Sequence, residues 1–481
     1  MANKKSGLLG NFSWKFAERI SAQLVTTFVA ILLARLLDPS DYGLIAMVTI
    51  FITLADVLVS DGLASALVQK NNADALDFSS FLYFNIVLSA GVYLILFFAA
   101  PFVSAFYGEG YEILTPILRV QGLKVLFTAV NSVQHAYVSK KMMFRNFFWA
   151  TLTGTIVSGA VGVIMAYSGW GVWALVAQNL VSIFINTVAL AIMIKKLPVL
   201  QFSFSRVKKL FGYGSRILGS SLLISGFVEL RALIIGKMYS SADLAFYDKG
   251  RHFPQLIISN VNTSISAVLF PELSNKQDEL EKVKEITRGS IRFCSFILCP
   301  MLMGLAAVAR PFTVVVLTEK WLPCVPLMQM FCIIYLFQPI HSANMQAIKA
   351  MGRSDIYLWL EVIKKTVEVI ALLITMWIGV NAIVVGMLLL TIVFTYVNAY
   401  PNIKLLNYTF REQMLDIFPV VACSLIMAAA VLALDLLPIP DFPLLIIQVV
   451  AGIVLYLLLC VVTRNKELKT VLDLIKKRKK K

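Results

Sequence analysis

Metal-binding and redox residues are scarce in this chain of 481 residues. Its three histidines, His135, His252 and His341, lack the spacing of metal ligands, which argues against a zinc site. Its six cysteines (Cys294, Cys299, Cys324, Cys332, Cys423, Cys460) form no CxxC pair. They lie within or beside apolar runs, where free thiols act as small buried hydrophobes. Charge is short too. Asp, Glu, Lys and Arg make up 15% of the chain, against about 25% in soluble domains, while 59% is hydrophobic and the mean hydropathy is +0.81. That balance excludes a large soluble enzyme and describes an integral membrane protein. Acids are scarcer than bases, 27 against 43, for a net charge of +16.

A membrane-spanning helix needs about 20 mainly apolar residues. That rule predicts an all-α integral membrane protein of about fourteen spans, near 13–36, 43–68, 79–105, 113–138, 147–168, 171–194, 212–236, 244–270, 289–316, 322–348, 356–378, 381–403, 415–436 and 443–462. The apolar run after MANKKSGLLGNFSWKF reaches Leu37, too long for a signal-peptide core of about 7–15 residues, so the first span is expected to stay. Loops are short; the longest, near 271–288, reads as a charged helical segment. No loop has room for a soluble domain.

Basic residues orient the spans. With the N-terminus inside, most Lys and Arg fall in cytoplasmic segments, and only Arg35, Lys237, Arg310 and Lys320 lie near outer ends. Both termini are therefore expected inside. The closing KKRKKK reads as an anchor for anionic lipid and not as a nucleic-acid site.

The chain also repeats itself. LARLLDPSDYGLIAM (from Leu33) is echoed by IIGKMYSSADLAFYDK (from Ile234), with Arg35 on Lys237 and Asp41 on Asp243. TPILRVQGLKVLF is echoed by VPLMQMFCIIYLF, with Pro116 on Pro326, and Gly171 falls on Gly379. Order, near-constant offset and matched hydropathy carry the case, since identities are few. Six spans per repeat give both halves the same orientation, hence parallel repeats about an axis along the membrane normal. The expected domains are an N-lobe at 1–194, an interfacial linker at 195–211, a C-lobe at 212–406, and two appended helices with a basic tail at 407–481.

A charge at the bilayer centre costs about 2.5–3.5 kcal/mol on insertion scales, so intramembrane ions mark cavities or partners. The first span holds Glu18 and Arg19; the second holds Asp56, about 20 Å from its outer end at 1.5 Å per residue, and Asp61. The fourth carries Arg119, then Lys124, Thr128, Asn131 and His135 at helical spacing. The seventh has Arg216, Glu229 and Arg231. The eighth shows a stripe of Asp248, His252, Gln255, Ser259, Asn262 and Ser266, with Lys249 and Arg251 alongside. The eleventh places Glu361, Lys364, Lys365 and Glu368 on one face, where i,i+4 pairing could join Glu361 to Lys365 and Lys364 to Glu368. Such stripes suit a water-filled lumen, although structural pairing or snorkelling accounts for the same residues. Bases exceed acids within the spans, which suits a phosphate- or carboxylate-bearing cargo better than a cationic drug. The acids Asp56, Asp61, Asp248 and Glu368 are candidates for H⁺ or Na⁺ coupling. Pro254 and Pro339, beside polar residues, are the candidate hinges.

The segment ARLLDPSDYGLIAMVTIF followed by DGLASALVQK resembles the Wzx-type polysaccharide flippases of the MOP exporter superfamily. In that family an L-x-P-x-D/E-F/Y-G turn joins the first two helices, here Asp38 to Gly43. The FSFSRVKKLFGYGSRI linker and the twelve-plus-two span count are similar as well. The resemblance covers essentially the whole chain. It implies a V-shaped pair of six-helix lobes in the bacterial inner membrane. These would move an undecaprenyl-pyrophosphate-linked oligosaccharide from the inner to the outer leaflet through a cationic cavity, for exopolysaccharide, capsule or O-antigen (lipopolysaccharide) synthesis. Arg119, Lys124 and Arg251 are then expected on the pyrophosphate, with Arg19, Lys364 and Lys365 in support and Asp56 as the leading coupling acid. No cofactor is expected, and a polymerase and glycosyltransferases are expected neighbours. The alternatives are a lipid II flippase of the same superfamily, a MATE-like drug exporter, and a membrane glycosyltransferase or polymerase. The last should offer catalytic acids outside the membrane, where this chain has little beyond Asp38, Asp41, Glu109, Glu112 and Glu319.

Overall fold

The structure is a computed structural model and describes residues 23–70, 73–194, 201–277, 279–465 and 467–469. All regular structure among these residues is helical. Helices α1 (Gln23–Leu36), α2 (Pro39–Gln69), α3 (Ala75–Tyr107), α4 (Leu114–Lys141), α5 (Phe144–Tyr167), α6 (Val172–Ile194) and α7 (Phe204–Met238) come first. They are followed by α8 (Ser241–Ser274), α9 (Leu280–Ala307), α10 (Ala309–Val316), α11 (Cys324–Leu336) and α12 (Gln338–Ala350). The last are α13 (Ser354–Thr375), α14 (Val380–Leu406), α15 (Phe410–Ala433) and α16 (Asp441–Val462).

Each of the fourteen expected spans falls on a helix, but the count of fourteen is not established. Among the described residues, ten helices are long and apolar enough to cross a membrane. The four others are α1, described from Gln23 and short by that measure, and α4, α8 and α13, which carry the polar stripes. The ninth span divides at Val308 into α9 and α10, and the tenth at Phe337 into α11 and α12. Pro339 sits in the first turn of α12, just after that break, whereas Pro254 lies within an unbroken α8. Segment 271–288 is the junction of α8 and α9, which extend beyond the apolar spans as helix.

The repeated motif has a local cause. The Asp38 backbone N–H donates to Asp41 Oδ2 at 3.3 Å, with Pro39 opening α2. At the start of α8, the Ser240 N–H donates to Asp243 Oδ2 at 3.1 Å and Ser240 Oγ accepts from the Asp243 N–H at 3.1 Å. Both echoes are therefore reciprocal caps that satisfy orphan backbone donors at a helix start. The two turns also touch: a Cβ on Gly43 would lie 1.8 Å from the Ser241 carbonyl oxygen. Only glycine fits there.

Two compact units divide the chain, Met1–Ala245 and Phe246–Lys481. Although α7 opens the second repeat in sequence, it packs lengthwise on α2 in the first unit, where Gly236 abuts Met47 and Tyr107. The same unit packs Val29 and Leu33 of α1, and Leu37 just after it, against Ala166, Ala174 and Leu175. In the second unit, α15 and α16 are more than appendages. Val420, Cys423 and Met427 pack with Phe296 and Cys299, and the Tyr456 hydroxyl donates to the Phe296 carbonyl at 2.9 Å. All six cysteines are free and buried. On α16, Ile453, Val454, Val461 and Val462 stay exposed, an apolar face suited to lipid.

Candidate functional site

In the first unit, the expected cation and the expected acid are bonded to each other. Lys124 Nζ on α4 lies 2.7 Å from Asp56 Oδ2 on α2, and the Thr128 hydroxyl one turn on donates to Asp56 Oδ1 at 3.0 Å. Helical spacing puts Lys124 and Thr128 on one face of α4, and the packing of α2 against it brings the carboxylate between them. Neither side chain is fully buried, at 31% and 20% exposure, so a polar ligand can reach the pair. Further along the same stripe, Asn131 Nδ2 donates to Asn186 Oδ1 of α6 at 2.8 Å, and His135 stacks edge-on against Phe147 at 4.4 Å. Near the other end of α4, Arg119 Nε donates to the Phe97 carbonyl at 3.2 Å with its guanidinium 4.3 Å over the Phe97 ring. Asp61 accepts from the Ser60 hydroxyl at 3.1 Å and is not part of the Asp56 pair.

In the second unit, Arg251 faces Asp248 at 3.4 Å and lies 5.7 Å from the Tyr247 ring centroid, while Lys249 lies 5.5 Å from that of Trp321. On α13 the ion pairs differ from expectation. Lys364 bonds Glu361 at 2.5 Å and Lys365 bonds Glu368 at 3.0 Å, both at i,i+3 spacing. Both spacings lie on one face of a helix, and the rotamers chosen decide between them. Arg19 and Glu18 lie outside the described residues, as does the KKRKKK tail. The side chains of Arg216, Asn262 and Ser266 lie outside them too.

Three constellations escaped sequence reasoning. The first joins the end of the linker to the start of α3: Arg206 NH1 bonds both oxygens of Asp74 at 2.7 Å and Asp77 Oδ1 at 3.1 Å, and Lys70 reaches Asp77 at 2.6 Å. The Asp77 backbone N–H, and then Arg206, hold the Asp74 carboxyl below the usual carboxylate range. The second gathers Arg288 (2.6 Å), Arg292 and the Tyr408 hydroxyl (2.8 Å) onto Asp416, whose side chain is 2% exposed. Arg288 and Arg292 at i,i+4 in α9 were a readable signal, but their acid lies more than a hundred residues on. The third is a buried seam between α12 and α14, where His341 lies between Thr395 and Asn398, with Asn344, Asn402 and Gln413 beyond. Asn398 and Asn402, one turn apart in a mostly apolar helix, were its trace in the sequence.

Among the described residues, these paired charges accompany helices long and apolar enough to cross a membrane, and the fold is like that of solved transporters. A solved structure titled "Lipid II flippase MurJ, inward closed conformation" matches at a TM-score of 0.75 and 15% identity, covering 94% of this chain and 99% of that one. The inward-facing form of a multidrug resistance MATE family transporter of the MOP superfamily matches at 0.63 and 13% identity, covering 80% and 95%. Residues 32–326 match the family described as "Polysaccharide biosynthesis protein", and the chain belongs to that family. Among curated relatives, the succinoglycan biosynthesis transport protein ExoT of Rhizobium meliloti (strain 1021) is 22% identical over 74% of this chain and 71% of its own length. The lipopolysaccharide biosynthesis protein WzxC of Escherichia coli (strain K12) is 22% identical over 80% and 79%.

Proposed function

We propose that this protein is a flippase of the bacterial inner membrane. It moves undecaprenyl-pyrophosphate-linked oligosaccharide units from the inner to the outer leaflet by alternating access, for surface polysaccharide synthesis, with both termini in the cytoplasm. The observation that carries this reading is a polysaccharide-biosynthesis family match laid over a MOP transporter fold. The ion pairs supply a mechanism. An unpaired charge is costly inside a membrane, so Lys124, Arg251, Lys364 and Lys365 each rest on a carboxylate. A pyrophosphate offers the same oxygens in greater number and charge, and takes these cations by exchange. Arg119, held by a carbonyl and a ring, needs no such exchange, and Arg19 is the supporting cation of the first span.

The displaced carboxylates, Asp56 first and Asp248 and Glu368 after it, then carry uncompensated charge and bind H⁺ or Na⁺; this is the coupling step. Asp61, outside the Asp56 pair, is the weakest coupling candidate. The KKRKKK tail holds anionic lipid, and the polymerase and glycosyltransferases of the pathway are the neighbours. A lipid II flippase is the second reading, favoured by the MurJ likeness, which is a likeness of fold. Transport of a defined lipid-linked oligosaccharide into proteoliposomes tests the proposal. The wild-type chain is expected to flip it, and the Lys124→Ala and Arg251→Ala chains to fail at normal expression. Variants that still complement a flippase deletion would sink the assignment, and flipping of lipid II alone would favour the second reading.

A further inference from the structure

The register that sets Pro116 on Pro326 also sets Asn131 on His341, so one site in the repeat holds an amide in one unit and an imidazole in the other. Each bonds an asparagine on the sixth helix of its repeat. Asn131 Nδ2 donates to Asn186 Oδ1 at 2.8 Å, and Asn398 Nδ2 meets His341 Nδ1 at 2.6 Å. Asn186 and Asn398 lie one helical turn apart in the register that sets Gly171 on Gly379.

The seam fixes the ring's tautomer. Thr395 Oγ1 donates its hydrogen to the Thr391 carbonyl at 2.7 Å, so it faces His341 Nε2, 3.0 Å away, with lone pairs only. Nε2 therefore carries a hydrogen, and Nδ1 is the bare nitrogen that accepts from Asn398. A second proton on the ring would go to Nδ1 and would need an acceptor there. One is in place: Asn398 is 1% exposed, and its Oδ1 has no hydrogen-bond partner. Turning the amide over replaces the N–H with that oxygen and satisfies it. The seam can thus bond the neutral ring and the charged ring with the same side chains. The amide pair of the first unit has no such choice.

We propose that His341 is a proton-binding site of the second unit, loaded at Nδ1 with Asn398 as its turnable acceptor, and that this proton is part of the coupling. The coupling clause rests on the flippase reading; the proton site does not. The charge that acts on the ring is Lys364 of α13, whose ammonium rests on Glu361. Lys365 and Glu368 of the same helix neutralise each other. On the other helices packed against α12, the charges include Lys404 of α14, Glu272 of α8, and Arg411, Glu412 and Asp416 of α15. On α9 they include Glu281, Lys282, Lys284, Glu285, Arg288 and Arg292, the last two turned to Asp416; α11 has none, and α12 itself carries Lys349. An anion that takes up Lys364 removes a like charge from beside the ring, so anion and proton favour each other by linkage.

The test uses the full-length protein in nanodiscs, labelled with ¹⁵N at its three histidines and titrated by NMR; the signal lost in His341→Asn identifies the residue. The expected result is a neutral Nε2–H ring at neutral pH that becomes doubly protonated, reversibly, on acidification of the folded protein. In Asn398→Ala the midpoint falls by about one pH unit, the equivalent of one hydrogen bond to a charged group. A His341 signal that stays neutral until the protein unfolds overturns the site, as does a midpoint that Asn398→Ala leaves unmoved. If the Asn398→Ala chain does not fold, the wild-type titration alone decides. A protonated His341 in a protein that moves no lipid-linked sugar would refute the flippase reading and leave the proton site standing.

Discussion

In the first unit an amide meets an amide, Asn131 on Asn186; in the second an imidazole meets an amide, His341 on Asn398. The first unit instead keeps its ionisable chemistry one or two turns away, where Lys124 is bonded across two helices to Asp56. In the second unit the acids and bases of α13 pair along their own helix, Glu361 with Lys364 and Lys365 with Glu368. The difference is instructive. A pair that bridges two helices changes when those helices move, whereas a pair within one helix moves as a body. At positions that the sequence echoes align, each unit thus carries a different response to charge.

The largest expected effect breaks the first unit. Lys124→Ala should cut transport of a lipid-linked oligosaccharide by at least tenfold, since a hydrogen bond to a charged group is worth about 1.5–3 kcal/mol. Its loss of stability should be only about 1 kcal/mol because the pair is partly exposed, and a thermal-shift assay separates the two. Next comes Asp416→Ala, which strands Arg288 and Arg292 where α9 packs on α15. It should cost about 2 kcal/mol of stability, read as a lowered Tm, with transport by the folded fraction unchanged.

His341→Asn gives the second unit the first unit's amide pair. It should lower transport less than tenfold but flatten its dependence on external pH, measured in proteoliposomes across a pH series. The reciprocal Asn131→His sharpens the same comparison: if the seam alone confers proton binding, the first unit should acquire a titrating histidine.

The smallest effect belongs to Arg206→Ala at the linker anchor. Asp74 is held below its ordinary value, so its contribution is present above the unfolded carboxylate pKa and fades as pH falls through the lowered folded one. The variant should therefore melt slightly lower at neutral pH and match the wild type in acid.

The charges of the candidate site were legible and their wiring was not. Lys124, Asp56 and Arg251 stood out because a charge in an apolar run needs a reason, and each has a partner. That Asp56 answers Lys124 could not be read, since the two are 68 residues apart in the chain. His341 was read only as a histidine without metal-ligand spacing, because nothing near it in the chain marks it until Thr395 and Asn398 close around it.

The sequence by itself determined the membrane class, the positions of the helices and the two capped turns. These depend on hydropathy and on contacts a few residues apart, which a linear pattern records. Tertiary structure alone decided that α7 packs in the first unit, that Gly43 must admit the Ser241 carbonyl, that α13 pairs at i,i+3, and that His341 has an acceptor in reserve. Each of these is a choice among partners that local pattern leaves equally possible, and only packing in three dimensions selects one.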